Sequence, residues 1–338
     1  MEEKIITKEN LVRLSADLVN EGYNVIVPNE RGYSLHQLDS ELNLSEKTTL
    51  PKNSFKSYVF PKTEPVFYYK KGQRDYQFVD VNLQNVKNIF LAAKPCDAAS
   101  IDILSKVFNW DYKDEFFDIR ADNSVVISMA CSTSDEYCFC TSVGLSPTST
   151  KGADILMLPL SSDKYAFRII TDKGKSLIEK YSGYFSEGNP AESDKVLEGI
   201  KVPEKKFDKD KVKEWLDNNF ENEFWNGIAT TCLACGQCAF SCPVCHCFDI
   251  VDEDDNYLTG RRMKNWDSCQ FPVFTQHASG HNPRDTQAKR YRQRINHKFK
   301  YYVDKFGEVL CTGCGRCSRG CPVSIDIKEI VTEINNLN

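Results

Sequence analysis

Two runs of cysteines share one spacing and carry the clearest chemistry in this sequence. Each run reads C-x2-C-x2-C-x3-C-P, and together they comprise Cys232, Cys235, Cys238, Cys242, Cys311, Cys314, Cys317 and Cys321. Four cysteines at this spacing hold [4Fe–4S] clusters through their thiolates. Zinc sites with four cysteines usually divide them between two separate pairs. The runs therefore predict two [4Fe–4S] clusters, and no catalytic acid, base or nucleophile is predicted in the chain.

The fourth cysteine of each run is expected to reach the cluster of the other run. Proline follows it in both runs, as Pro243 and Pro322, and proline suits the first turn of a helix that leads away. We predict one cluster on Cys232, Cys235, Cys238 and Cys321, and the other on Cys311, Cys314, Cys317 and Cys242. Gly236 and Gly315 stand where the backbone must approach a cluster closely. The long intervening segment favours an all-helical ferredoxin arrangement.

Four further cysteines lie in the first half of the chain: Cys96, Cys131, Cys138 and Cys140. The first follows a predicted strand at 88–92, and the second follows one at 124–129. If these strands are parallel neighbours, both cysteines emerge at the carboxyl edge of a sheet, where α/β proteins bind ligands. We therefore expect the four thiols to converge and to hold a third [4Fe–4S] cluster. The alternative is four unrelated buried cysteines, which pack as small apolar side chains.

The remaining three cysteines, Cys245, Cys247 and Cys269, have no assigned role at this stage. They stand in the strings CPVCHC and WDSC. Three interpretations stay open: they ligate a further cluster together with an outside ligand, they combine with the four N-terminal cysteines, or they are free thiols near the clusters. For His246, between two of them, a hydrogen-bonded or solvent-facing ring is favoured over a metal ligand.

The elements that must position these cysteines differ between the two halves of the chain. Apolar runs predict strands at 23–27, 65–69, 76–79, 88–92, 124–129, 155–160 and 165–170, and helical spacing predicts helices at 9–20, 97–108, 212–220, 286–306 and 325–335. The polar stretch 186–211 separates the halves. We predict an α/β domain over residues 1–205 and a mainly α-helical ferredoxin-type domain over 206–338, with no diagnostic motif in the first 85 residues.

Composition excludes several classes of protein. The 338 residues carry a formal net charge of −5, with 41% hydrophobic and 27% charged residues, as in a soluble globular protein. No apolar run is long enough to span a bilayer, and the polar N-terminus lacks the apolar core of a signal peptide. We therefore expect a cytoplasmic protein that binds neither membrane nor nucleic acid. Disulfides are a poor explanation for fifteen cysteines in a reducing compartment.

A basic stretch between Arg261 and Lys305 offers a different interpretation. The favoured interpretation is that these basic residues form an ordinary solvent-exposed face. The next is that they offset the negative charge of thiolate-ligated clusters or dock an acidic partner. Nucleic-acid binding is the least favoured alternative. Within the second run of cysteines, Arg316 and Arg319 are predicted to tune the cluster.

Five strings together resemble a known family. They are KPCDAASID, CSTSDEYCFCTSVG, CLACGQCAFSCPVCHCFDI, GRRMKNWDSC and CTGCGRCSRGCPVSIDI. In this order they resemble the iron–sulfur subunit of the anaerobic sulfite reductase, and also the related beta subunit of soluble nickel–iron hydrogenases, the sulfhydrogenases. The resemblance extends from about residue 88 to the C-terminus.

The resemblance implies an electron-transfer subunit of an oxidoreductase complex. In the sulfite reductase, such a subunit relays electrons from an NADH-oxidising flavoprotein to a siroheme subunit that reduces sulfite to sulfide. The alternative is the corresponding subunit of a nickel–iron hydrogenase. Two rivals from other classes are an iron–sulfur redox sensor and a stand-alone thiol reductase. The sequence has no G-x-G-x-x-G after a strand, no phosphate-binding loop and no C-x-x-C-H, so the substrate-binding ends of the path are expected in partners.

Overall fold

The structure is a computed structural model that describes residues 2–37, 42, 44, 50–82 and 86–337. The chain forms two compact units, and each is assembled from separate segments. Unit 1 comprises Met1–Phe55, Asn85–Lys206 and Cys311–Gly315, and unit 2 comprises Lys56–Gln84, Phe207–Leu310 and Arg316–Asn338. The predicted domains, 1–205 and 206–338, differ from these units in the two exchanged segments, 56–84 and 311–315, and in Lys206, which belongs to unit 1.

Twelve strands lie within the described residues. In chain order they are β1 (Glu3–Thr7), β2 (Asn24–Pro28), β3 (Tyr33–Leu35), β4 (Thr63–Lys71), β5 (Tyr76–Asp80), β6 (Asn88–Ala93), β7 (Ser124–Met129), β8 (Ile155–Pro159), β9 (Lys164–Ile169), β10 (Ser186–Glu187), β11 (Phe248–Asp254) and β12 (Thr259–Trp266).

The helices of the described residues include both long and single-turn elements. In chain order they are α1 (Lys8–Asn20), α2 (Lys56–Val59), α3 (Pro95–Phe108), α4 (Glu115–Asp122), α5 (Asp172–Lys180), α6 (Pro190–Gly199), α7 (Lys209–Asn218), α8 (Phe224–Gly227), α9 (Gln237–Phe240), α10 (Gln287–Asn296), α11 (Tyr302–Phe306), α12 (Arg316–Arg319) and α13 (Ile327–Asn336), with 3-10 turns at Cys140–Val143 and Ser182–Tyr184 and a π turn at His297–Tyr301. No helix of the described residues is both long enough and apolar enough to cross a membrane.

Unit 1 is built on a mixed eight-stranded sheet, which confirms the predicted α/β character of this part of the chain. The strand order is β10-β1-β9-β8-β7-β6-β2-β3. The central strands β2, β6, β7 and β8 are parallel to one another, and the outer strands pair antiparallel. All six residues of β6 are buried, as expected for a parallel strand that helices cover on both faces.

Helix α1 illustrates how local sequence signals set the elements of unit 1. The Thr7 hydroxyl accepts a hydrogen bond from the backbone N–H of Asn10 at 3.2 Å, which satisfies one of the free donors at the helix start. Leu11, Leu14 and Leu18 recur at helical spacing and are buried in the core of the unit. The helix predicted at 9–20 is therefore confirmed, and its buried face packs with the residues of the sheet.

Unit 2 contains a four-stranded antiparallel sheet, so the prediction of a mainly α-helical ferredoxin domain is not confirmed. The strand order is β11-β12-β4-β5. No strand was predicted at β11 or β12, because both are rich in charged residues. Cross-strand ion pairs join the two strands, for example Arg262 Nε with Asp252 Oδ1 at 2.8 Å. Strands β4 and β5 belong to the N-terminal part of the sequence, and their pairing with β12 explains why residues 56–84 join this unit.

The helix predicted at 286–306 is present but not regular. Helix α10 continues through the π turn at His297–Tyr301 into α11, and Gly307 ends the run with φ +72°. Ile295, Phe299 and Tyr302 are buried along it. A π turn inserts one extra residue per turn and is frequent at functional sites. It changes which side chains of this run face the interior of the unit.

Candidate iron–sulfur sites

Unit 1 brings the four N-terminal cysteines to one cavity at the carboxyl edge of its parallel strands. The cavity measures about 220 Å³, and its lining includes Lys94, Cys96, Cys131, Cys138, Cys140 and Cys314. Liquid water occupies roughly 30 Å³ per molecule, so the space accepts a group of several atoms. The predicted convergence of these thiols is therefore found in the fold, and a cysteine of the second run joins them.

The backbone around Cys96 is held in an unusual conformation. Ala92, the fifth residue of β6, is buried and has φ +58°, and the pairing of β6 with β7 shifts register there. Such a bulge re-aims the strand end. The Tyr33 hydroxyl accepts a hydrogen bond from the Lys94 N–H at 3.0 Å and donates one to Asp97 Oδ2 at 2.7 Å. These contacts fix the turn that carries Cys96 into α3.

The loop Cys311–Gly315 packs against the segment that carries Cys138 and Cys140. The Phe139 N–H donates a hydrogen bond to the Gly313 carbonyl at 2.9 Å. Burial raises the pKa of the Cys140 thiol to about 11, and Cys131 and Cys314 act in the same direction. Without a metal this thiol is protonated at neutral pH. Ligation of iron by Cys140 would therefore require the loss of this proton.

Gly313 is expected to be essential to this packing. Its φ is +64°, and a Cβ at this position would lie 2.5 Å from the Cys140 backbone. Gly144 has a similar φ of +81° but open space around it. Gly144→Ala should cost about 1 kcal/mol for the left-handed backbone, whereas Gly313→Ala adds an overpacking cost of about 1–3 kcal/mol. Thermal unfolding should show a loss for Gly313→Ala at least twice that for Gly144→Ala. Equal losses would mean that this close approach does not exist.

Unit 2 brings together the first three cysteines of the first run and the last cysteine of the second run. They line one cavity, and the cysteines there are Cys232, Cys235, Cys238, Cys317 and Cys321. This is the set predicted for the first cluster, with Cys317 in addition. The cavity is narrow, about 30 Å³.

The two cysteine loops share one backbone conformation. In the first loop Ala234 and Gly236 have positive φ, and in the second loop the corresponding residues are Gly313 and Gly315. Alternating right- and left-handed residues turn successive N–H groups inward and form a concave anion site of the kind found at iron–sulfur clusters. The repeat seen in the sequence is thus a repeat of structure, and its donor set fits a negatively charged cluster.

Side-chain and backbone N–H groups approach the sulfurs of the unit 2 cavity. Gln287 Nε2 lies 3.1 Å from Cys232 Sγ and 2.9 Å from Gln270 Oε1. The Ile325 N–H lies 3.3 Å from Cys321 Sγ. Hydrogen bonds to the sulfurs tune the reduction potential of a cluster. Sequence reasoning missed Gln287, because a single glutamine on a basic helix carries no signal of its position.

The predicted ligands of the second cluster are divided between the units. Cys311 and Cys314 lie in unit 1, and Cys317 and Cys242 lie in unit 2. The Gly313 N–H is 3.4 Å from Cys311 Sγ. In unit 2, Lys298 Nζ is 3.4 Å from the buried Cys242 Sγ and 2.9 Å from the Leu310 carbonyl. Each half of the predicted set therefore has a donor close to a sulfur.

Arg294 is one of several deeply buried cations near the cysteines of unit 2. Its side chain is 2% exposed, Nη2 lies 2.9 Å from the Cys238 carbonyl, and Nη1 lies 3.6 Å from Cys245 Sγ. The sequence placed Arg294 only within a basic stretch and favoured Arg316 and Arg319 for tuning a cluster. Arg316 is also buried, at 2% exposure. The position of Arg294 depends on which face of α10 turns inward, and the buried Tyr291 and Ile295 mark that face.

His246 lies among the thiols as a neutral, hydrogen-bonded ring. Burial lowers the pKa of His246 to about 4. Its Nδ1 is 3.1 Å from the Val244 carbonyl, so this nitrogen donates in the neutral tautomer. The ring also meets His297 edge to face, with centroids 5.2 Å apart. This geometry agrees with the hydrogen-bonded role that the sequence favoured. Among the described residues no three His, Cys, Asp or Glu side chains are arranged to hold a single metal ion.

Comparison with known proteins places the chain in a family. A family model for a 4Fe-4S dicluster domain matches residues 231–325. Over 309 residues the chain is 30% identical to sulfhydrogenase 2 subunit beta of Pyrococcus furiosus, and the match covers 89% of each of the two chains. The chain belongs to the sulfhydrogenase beta-subunit family. No solved structure matches the chain.

Membership of the sulfhydrogenase beta-subunit family bears on the two families that the sequence resembles equally. The relative is part of a sulfhydrogenase, and the match extends over both units, so the hydrogenase alternative is favoured over the iron–sulfur subunit of sulfite reductase. The dicluster match covers both cysteine runs, which supports iron–sulfur clusters in this sulfhydrogenase-type chain.

Proposed function

We propose that this chain is the iron–sulfur electron-transfer subunit of a soluble nickel–iron hydrogenase complex in the cytoplasm. The observation that carries the proposal is the likeness to a sulfhydrogenase beta subunit over 89% of the chain, and the match of a 4Fe-4S dicluster domain to residues 231–325 supports it. The chain works without a complete active site of its own. Two partners, a flavoprotein and a hydrogenase subunit, provide the two ends of the electron path.

The cysteine thiolates are the working residues of the proposed relay. Iron–sulfur clusters supply one-electron transfer when bound. The first cluster is assigned to Cys232, Cys235, Cys238 and Cys321, and the second to Cys311, Cys314, Cys317 and Cys242. The protein holds the thiolates at fixed corners and directs N–H groups at the sulfurs. Gln287 and Lys298 perform this last task at Cys232 and Cys242 in unit 2, and Arg294 donates to the Cys238 carbonyl.

A third [4Fe–4S] cluster is proposed for the unit 1 cavity, on Cys96, Cys131, Cys138 and Cys140. Cys314 lines the same cavity, so the proposed third cluster lies directly beside a ligand of the second. Electron transfer depends steeply on distance, and this arrangement joins the third cluster to the path. The closeness is the reason to assign the unit 1 site to the relay and not to a separate structural role.

If the third cluster is present, removing two of its cysteines should cause a specific loss of iron. The double variant Cys138→Ser/Cys140→Ser should lose about 4 iron atoms and about 4 sulfides per chain, the content of one [4Fe–4S] cluster. Iron and acid-labile sulfide are measured on anaerobically purified protein. Thr141→Ser changes the same segment without removing a thiol and should keep all iron. Unchanged iron in the double variant would refute the unit 1 cluster.

Cofactor analysis of the purified complex tests the proposed partners. The tagged chain is isolated anaerobically from its host together with the proteins that accompany it. Nickel and flavin in the complex are the expected result. Siroheme with flavin would instead assign the chain to a sulfite reductase. A chain that comes alone, without either cofactor, would overturn the electron-transfer partnership and favour a sensor or a thiol reductase.

A further inference from the structure

We propose that the flavoprotein partner docks on an exposed, uncharged surface of unit 2 beside the site of the first cluster. Two segments form this uncharged surface, residues 229–241 and residues 271–283. The inference rests on the proposed function, because it gives one of the two proposed partners a place on this chain. It deepens that function by naming the side chains that the partner covers.

The first cysteine run reaches the solvent at Cys235. All fifteen cysteines lie within the described residues, and among them Cys235 alone is exposed. Thr231 and Leu233, on the same loop, are also exposed, and Leu233 keeps 65% of its surface accessible. Because Cys235 is a proposed ligand of the first cluster, a protein that covers this loop comes into direct contact with that site.

A second exposed segment, 271–283, begins against the same loop. The Phe271 ring lies so close to Gly236 that a Cβ on that glycine would come within 2.8 Å of it. Two residues further along the chain, Val273 is 67% exposed. The start of the second segment is therefore fixed at the first cysteine run, with an apolar side chain left in solvent.

The chain just beyond the second segment is tied to the same run. Arg290 Nη1 donates to the carbonyls of Arg284 and Asp285 at 2.9 Å and 3.0 Å. Arg290 Nη2 donates to Gln287 Oε1 at 2.7 Å. A guanidinium can only donate, so the amide nitrogen of Gln287 faces Cys232 Sγ, 3.1 Å away. Both ends of the segment are thus held at proposed cluster ligands or their neighbours.

Hydrogen bonds within the second segment hold it in one shape. Asn282 Nδ2 donates to the Pro272 carbonyl at 2.6 Å, and the Thr275 hydroxyl donates to Asn282 Oδ1 at 2.8 Å. The His277 N–H donates to the His281 carbonyl at 2.8 Å. A segment that is already ordered loses little conformational entropy when a partner binds.

Neither segment contains Asp, Glu, Lys or Arg. Residues 229–241 read ATTCLACGQCAFS and residues 271–283 read FPVFTQHASGHNP, whereas 27% of the whole chain is charged. Depletion of charged residues is typical of the core of a protein interface, and exposed apolar side chains beside one another mark contact surfaces. Leu233 and Val273 supply those apolar side chains here. Redox partners need only a small interface, often below about 1,200 Å² in total.

The lack of charge favours the flavoprotein as the occupant. A flavin has an uncharged, apolar ring edge, which suits this surface. A thiolate-ligated cluster in the partner would instead bring negative charge towards the negatively charged first cluster, and neither segment supplies a cation between them. In each encounter the reduced flavin loses one electron and the first cluster gains it. No bond forms or breaks between the proteins, and a proton released from the flavin goes to water.

Val273→Glu tests the uncharged surface in the anaerobically purified full chain, with the flavoprotein that co-purifies with it. Affinity for the flavoprotein should fall about tenfold or more, because the interface would bury an unpaired carboxylate. Iron content should not change, since Val273 is exposed and is no proposed ligand. The matched control is Val79→Glu on β5, at 58% exposure, which should change the affinity by about twofold at most. Equal affinities of the two variants would overturn the proposal.

Photo-crosslinking identifies the occupant directly in the assembled complex. Val273 is replaced by the photo-reactive amino acid p-benzoylphenylalanine, the complex is irradiated, and the crosslinked protein is identified by mass spectrometry. A crosslink to the flavoprotein is the expected result. A crosslink to the hydrogenase subunit, or none to any subunit, would overturn the docking surface and leave the proposed function standing. A complex that contains no flavoprotein would overturn both.

Discussion

Replacing Cys321 by alanine is expected to remove the cluster of the first cysteine run, although Cys321 belongs to the second. The physical reason is placement: Cys321 lines one cavity with Cys232, Cys235 and Cys238 in unit 2, whereas Cys311 and Cys314 belong to unit 1. Loss of one thiolate of four should release about 4 iron atoms per chain or leave a three-iron remnant.

Two matched variants decide between crossed and local ligation. Cys235→Ala removes a proposed ligand of the first cluster, and Cys314→Ala removes a proposed ligand of the second. The electron paramagnetic resonance spectrum of reduced Cys321→Ala should lack the same signal as Cys235→Ala and keep the signal that Cys314→Ala loses. A spectrum that coincides with Cys314→Ala would show that each run ligates its own cluster. All three variants remove one thiol, so differences between them report position alone.

The part of the fold that could be predicted from sequence is the part that burial dictates. Strands β6 and β7 are apolar runs, and both proved to be central parallel strands. Cys96 and Cys131 were expected at one sheet edge if these strands were parallel neighbours, and the parallel pairing of β6 with β7 meets that condition. Periodicity of this kind is a local signal, because a strand covered on both faces must be apolar throughout its length.

Strands β11 and β12 were not predicted, because they are rich in charged residues and lack an apolar pattern. Strand β11 is acidic and largely exposed, and β12 is basic, so neither alternates between apolar and polar residues. Their pairing depends on contacts across the hairpin, such as Arg262 with Asp252. The partner of β12 on its other side is β4, about 200 positions away in the sequence. Nothing local in either segment indicates that pairing.

The candidate sites also contain some features that local sequence predicts and others that depend on the folded structure. Spacing alone indicated the ferredoxin-type cysteines and a close backbone approach at Gly236 and Gly315, both of which have positive φ in the structure. It did not indicate that Cys314 lines a cavity with the N-terminal thiols, because that depends on the packing of the loop 311–315 in unit 1. It also did not separate Arg294 from other basic residues, since burial is a property of the folded helix.

Arg294→Gln is expected to make the potential of the first cluster more negative by on the order of 100 mV. The guanidinium donates to the Cys238 carbonyl at 2.9 Å, which places its charge next to a proposed ligand. A unit charge at about 6 Å, with an effective dielectric constant of about 20, contributes about 3 kcal/mol. Positive charge favours the reduced cluster, which carries one more electron, so its removal lowers the potential.

Arg292→Gln is the matched control, because it removes the same charge from the same helix at a different face. The Arg292 guanidinium bonds to Glu221 Oε2 at 2.7 Å and to the Phe220 carbonyl at 3.0 Å. Its partner carboxylate already offsets its charge, so its potential shift should be a small fraction of that for Arg294. Redox titration followed by electron paramagnetic resonance measures both. Equal shifts would mean that the basic helix acts through net charge alone. No shift for Arg294→Gln, with iron retained, would mean that the buried guanidinium holds the backbone and leaves the potential to other groups.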